Sequence, residues 1–115
     1  MKLHYITLKG EEHPLCYNLQ AAAELIDEFG GLDAWQAALN GANNVMAIAK
    51  TLKILLNGGR AYCEEMGISM PKPIKNAAAV IDISSPEAVK AIFGAIAGDT
   101  DREVQTKNAV PTQED

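Results

Sequence analysis

Residues 45–59 read VMAIAKTLKILLNGG, and this stretch decides the fold. Val45, Ile48, Leu52 and Leu55 fall at positions i, i+3, i+7 and i+10 of a helix, and Ala49 and Leu56 widen the stripe. Lys50, Lys53 and Asn57 leave only a thin polar seam. A helix apolar over most of its circumference is the central, buried one of a globular domain. Asn43 and Asn44 offer N-caps, and Asn57-Gly58-Gly59 predicts a stop near Leu56. Two lysines in so short a run argue against a membrane span, which needs roughly 20 apolar residues.

Upstream, Leu32 to Leu39 predicts a short helix with Leu32, Trp35 and Leu39 on one stripe, closed by Asn40-Gly41. Before it, Asn18 is a good N-cap for a helix whose Leu19, Ala22, Ala23, Ile26 and Phe29 are in phase. Glu24, Asp27 and Glu28 fall on the other side, and Gly30-Gly31 ends it. Leu3 to Leu8 and His13 to Tyr17 are short β-prone runs around Lys9-Gly10-Glu11-Glu12, which predicts a hairpin. A turn centred on Gly10 and Glu11 sets Ile6 opposite Leu15 and His4 opposite Tyr17. Ile6, Leu8, Leu15 and Tyr17 then share a face that the helices must cover, because a lone hairpin is marginal in water.

Downstream, Arg60 to Met66 predicts a fourth short helix carrying Tyr62, Cys63 and Met66, with Gly67 as its C-cap. Pro71 and Pro73 interrupt regular structure. Ile74 to Ile81 has room for a helical turn or two, with Ile74, Ala77, Ala78 and Ile81 in phase. Ser85-Pro86-Glu87 is a helix start: a capping serine, proline at the first position and an acid in the first turn. The last helix, Pro86 to Ala97, places Val89, Ile92, Phe93 and Ile96 on one face, and Gly98 ends it. In residues 99–115 only Val104, Ala109 and Val110 are apolar, without a period, which predicts a flexible polar and acidic tail.

The expected fold is therefore mainly α (α+β): one small helical domain over residues 1–98 with an N-terminal β-hairpin, and a tail over 99–115. Ile26, Phe29, Ile48, Leu52, Leu55, Ile92 and Phe93 are the expected core. With 115 residues and 48% hydrophobic content the chain suits one domain. Lys and Arg number 10 against 15 Asp and Glu, a net charge of −5, and no basic cluster stands out along the sequence. This argues against nucleic acid and against an anionic membrane surface as partners. Two cysteines make no disulfide framework, and the N-terminus lacks the apolar run of a signal peptide, so a cytoplasmic protein is expected.

No constellation points to catalysis, a metal or a cofactor. His13 and Cys16, three apart, could join His4 and Cys63 around zinc, but only one pair is close and Pro14 sits inside it. A strand edge with a solvated histidine and a half-buried cysteine explains them as well. Neither cysteine has a nearby base or triad spacing to make it a nucleophile. Glu11-Glu12, Glu24/Asp27/Glu28 and Glu64-Glu65 read as solvated carboxylates. Gly30-Gly31 and Gly58-Gly59 each follow a helix and lack phosphate-loop spacing. Trp35, Tyr62 and Met66 fit either core packing or a binding surface.

The hairpin followed by Cys16-Tyr17-Asn18-Leu19-Gln20-Ala21-Ala22-Ala23-Glu24-Leu25-Ile26-Asp27-Glu28-Phe29-Gly30-Gly31-Leu32 resembles the tail assembly chaperones of long-tailed (siphovirus-type) bacteriophages and prophages. So does Gly58-Gly59-Arg60-Ala61-Tyr62 after the apolar helix. The resemblance spans about Leu3 to Val104. It implies a non-enzymatic protein that binds the tape-measure protein, helps recruit the tail-tube protein and is absent from the mature virion. It also implies that some members have a longer, frameshifted form. On this reading the short helices are the expected client surface, through Leu32, Trp35, Leu39, Tyr62 and Met66, with the protein acting as a homo-oligomer. The alternatives are a small structural virion subunit and a helical regulatory adaptor.

Overall fold

Two residues with positive φ, Lys9 (53°) and Gly10 (79°), make the tight turn between β1 (His4–Leu8) and β2 (Glu11–Leu15). Both central residues of a type I′ turn need φ > 0, and glycine fits best at the second. The turn therefore centres on Lys9-Gly10, one residue earlier than expected. His4 pairs with Leu15, Ile6 with His13 and Leu8 with Glu11. The expected register of Ile6 opposite Leu15 is thus wrong by two residues. A two-residue slip preserves the faces, so Ile6, Leu8 and Leu15 still point together into the core.

The structure is a computed structural model that describes residues 3–107, with side chains described as far as Ala97. After the hairpin come α1 (Leu19–Phe29), α2 (Leu32–Asn40), α3 (Val45–Met66), a 3₁₀ turn (Ala77–Val80) and α4 (Glu87–Lys107). The mainly α class with an N-terminal hairpin is as expected. β2 lies on α3 and β1 on α4, so the helices cover the hairpin's apolar face. The core comprises Ile6, Leu8, Leu15, Leu25, Trp35, Leu52, Leu55 and Ile92, with alanines between them.

The largest departure from the sequence reading is α3. Gly58-Gly59 does not stop it, and Arg60 to Met66 is its last two turns instead of a separate helix. The reason is tertiary. A Cβ on Gly59 would collide with the Pro14 carbonyl oxygen and lie 2.5 Å from the Pro14 carbonyl carbon. A Cβ on Gly58 would lie 2.7 Å from the Cys16 carbonyl oxygen and 3.3 Å from Ala21 Cβ. The two glycines open a slot in which the end of β2 crosses the helix. Cys16 N–H donates to the Leu55 carbonyl (3.1 Å) and Asn18 Nδ2 donates to the Gly58 carbonyl (3.1 Å), which fastens the crossing. Gly67, in the left-handed region at φ 69°, is the true stop, its N–H bonding the Cys63 carbonyl.

Other local expectations fare differently. Asn18 Oδ1 accepts from Ala21 N–H (2.9 Å) and Gly30 closes α1 in the left-handed region, both as read. Asn44 makes no side-chain cap for α3; its Nδ2 donates back to the Leu39 carbonyl (2.8 Å) and finishes α2. Helix α1 buries Ala21 and Leu25, leaving Ile26 about half exposed and Leu19 almost fully so. Helix α4 buries Ala88, Ile92 and Ala95, leaving Phe93 about half exposed. Alanines flank Leu25 and Ile92 on these faces and let the helices approach α3 and the hairpin closely. Leu52, Leu55 and Ile92 are buried, and Ile48 and Phe29 pack at the edge. The Ile74–Ile81 stretch contributes one 3₁₀ turn that buries Ala77. Gly98 does not end α4, whose backbone continues to Lys107. Glycine lowers helix propensity by about 1 kcal/mol but breaks a helix only where it leaves helical φ. Of the tail expected at 99–115, residues 108–115 lie outside the described residues.

Candidate functional site

Of the five residues expected as a client surface, Trp35 and Leu39 are buried. Trp35 is 1% exposed and belongs to the core. Its indole N–H donates to Thr51 Oγ1 (2.9 Å), a side chain that is itself fully buried. The ring also packs at a tilt against Tyr17, with centroids 5.7 Å apart. Leu39 is buried, Leu32 and Tyr62 are half-buried, and Met66 is exposed. Tyr62 lies eleven residues beyond Thr51 on α3, roughly 16 Å along the axis at 1.5 Å per residue. Core packing accounts for Trp35 and Leu39. An indole needs a buried acceptor, and α3 supplies one through Thr51.

An exposed apolar groove lies elsewhere. An open groove of about 190 Å³ runs between the N-terminal half of α3, the connector after the 3₁₀ turn and the start of α4. Val45, Ile48 and Leu52 form one wall, Val89 the other, and Ile81 and Ile83 come from the connector. Ile83 is 83% exposed and Val45 59%, while Leu52 is buried at the floor. Met46, next to Val45, is 64% exposed. The period of α3 explains the wall. Its apolar stripe is wider than the hairpin and α1 together can cover, and Val45 in its first turn is left exposed.

A polar turn holds the connector. Ser84 N–H and Oγ–H both donate to Asp82 Oδ1 (2.8 and 2.7 Å), and Ser85 N–H donates to the Asp82 carbonyl (2.9 Å). The two Ser84 bonds, backbone first, hold the Asp82 carboxyl below its ordinary range. They also fix the bend that leaves Ile83 facing water. Ser85 Oγ then accepts from Glu87 N–H (3.2 Å) and opens α4, as its sequence predicted. The signal for this site in the sequence was the excess width of the α3 stripe, together with an isoleucine between an aspartate and two serines.

The histidines and cysteines do not assemble. Among the described residues no three His, Cys, Asp or Glu side chains are placed to hold a metal. Cys16 and Cys63 are both buried thiols. Burial pushes the Cys63 thiol up, partly opposed by the nearby Arg60 guanidinium. His13 is 3% exposed, so it is no solvated strand-edge residue. No helix among the described residues is long and apolar enough to cross a membrane. Comparison with protein-family models, with curated proteins and with solved structures gives no match for this chain.

Proposed function

We propose that this protein is a non-enzymatic tail assembly chaperone of the long-tailed phage type. It binds apolar helical segments of a tape-measure protein in the host cytoplasm, promotes assembly of the tail-tube protein, and leaves before the virion is complete. It does so as a homo-oligomer. The observation that carries this reading is the α3–α4 groove, an open apolar channel with Val45, Ile83 and Val89 turned toward water. Amphipathic helices dock in such grooves through residues at i, i+3, i+4 and i+7. Asp82 at the rim and the net charge of −5 suit a client whose polar face carries lysine or arginine. The same charge keeps the protein soluble beside a sticky client. The order of elements also agrees with the resemblance: hairpin, Asn-capped helix ending at Phe29-Gly30-Gly31, short helix, long apolar helix.

The test is co-expression with a tape-measure-type client. The wild type is expected to hold the client in the soluble fraction. Ile83→Glu combined with Val45→Glu alters two exposed side chains, so the domain is expected to stay folded while client solubility is lost. Rescue by the folded double variant moves the client surface elsewhere, and no rescue by the wild type refutes the chaperone reading.

A further inference from the structure

Of the ten Lys and Arg in the chain, four line one cleft of about 420 Å³ on the side of α3 that carries its polar seam. Lys50, Lys53, Asn57 and Arg60 recur at i, i+3, i+7 and i+10, which is one stripe of a continuous helix. The stripe exists only because Gly58-Gly59 does not break α3. Lys75 and Asn76 come from the connector, and His13 from β2. Along the sequence these cations are scattered, and the fold gathers them.

We propose that this cleft binds a small organic phosphate. Three observations carry the assignment. First, the charge is only partly spent. Lys50 pairs with Glu28 (2.7 Å), and Glu24 and Asp27 border a neighbouring cleft beyond Lys50 and Lys53. Arg60 and Lys75 line only the first of these two clefts, and Lys53 borders both. Arg60 uses Nη1 on the Pro71 carbonyl (2.9 Å), which ties the connector across the helix. Second, His13 lines the cleft, is 3% exposed, and has a buried Nε2 with no hydrogen-bond partner. A buried polar atom left unmet is unfavourable, and a ligand that bonds it removes that cost. Third, the remaining lining is apolar, including Leu8, Leu56 and Ile74, which suits an organic body attached to the charged group.

A phosphate fits this set better than a carboxylate. One arginine satisfies a carboxylate by a bidentate pair, whereas a doubly charged tetrahedral group uses several cations and a neutral donor together. A small ligand fits better than a polyanion. An extended chain of phosphates leaving the cleft meets the α1 carboxylates and the overall negative field.

The full-length protein is titrated with phenyl phosphate, inorganic phosphate and benzoate at matched ionic strength, following the His13 ring resonances. Phenyl phosphate is expected to give a saturable shift and to bind about tenfold or more tightly than benzoate, with inorganic phosphate as a competitor. Lys75→Glu and Lys53→Glu each alter an exposed side chain and are expected to weaken binding about tenfold, the order for reversing one unit charge at close range. Absence of a saturable shift, equal binding of benzoate, or unchanged affinity in both folded variants overturns the proposal. His13, Lys53 and Lys75 do not line the α3–α4 groove, so this outcome is distinguishable from that of the chaperone test.

Discussion

Gly59→Ala tests the central packing of the molecule. In an isolated helix this change gains about 1 kcal/mol, because alanine is the best helix former and glycine among the worst. In this fold the sign reverses. The new methyl group would meet backbone atoms: the Pro14 carbonyl oxygen, its carbon at 2.5 Å and the Leu15 nitrogen at 2.9 Å. Ordinary contact needs 3.4–4 Å, so β2 must lift by about an ångström along a stretch where Pro14, Leu15 and Cys16 are all fully buried. Overpacking of this kind costs about 1–3 kcal/mol. Lifting β2 also stretches the Cys16 N–H bond to Leu55 and the Asn18 bond to Gly58, each worth roughly 1 kcal/mol. Against the propensity gain, the net loss is about 2–4 kcal/mol. For a domain of this size that lowers the melting temperature by roughly 10 °C or more. Urea denaturation followed by helical circular dichroism measures it, with Asn57→Ala, exposed on the same helix, as the control. The control is expected to be neutral or a few tenths of a kcal/mol stabilising. A stability gain in Gly59→Ala comparable to the propensity term would mean that β2 does not cross α3, and the continuous-helix description would fall with it.

Two further predictions concern buried groups. Thr51→Val leaves the Trp35 indole N–H without its acceptor and is expected to cost about 1–3 kcal/mol, while Trp35→Phe with Thr51→Val recovers part of that loss; strictly additive costs in denaturation experiments would show that the bond contributes nothing. The raised Cys63 thiol favours the protonated form in the folded state, so the native protein holds the proton where the unfolded chain has released it. Stability is expected to fall as pH climbs past the ordinary thiol range, and Cys63→Ala is expected to flatten that slope; alkylation of Cys63 as fast in buffer as in urea contradicts its burial.

Local chemistry made much of this protein legible from the sequence. Glycine at position 10 between two β-prone runs specifies a hairpin. Asn18 and Ser85 carry side-chain oxygens at the two positions where a helix leaves N–H groups unmet, and both bond as read. The apolar run from Val45 declares a central helix because no other arrangement removes so wide a stripe from water. Each of these signals is settled within a few residues of chain. The tertiary structure decided whatever depended on a second element. Gly58-Gly59 reads as a stop in one dimension and is a crossing slot in three, since only a neighbouring backbone reveals why a Cβ is missing. The buried faces of α1 and α4 pair Leu25 with Ala21 and Ile92 with Ala88 and Ala95, leaving Ile26 and Phe93 about half exposed, because close approach favours small side chains that hydrophobic phase alone ranks low. Trp35 fits either the core or a binding surface until Thr51 supplies its acceptor. Lys53, Arg60 and Lys75 read as a scattered surface, and they share a cleft only because α3 stays continuous and the connector folds back across it.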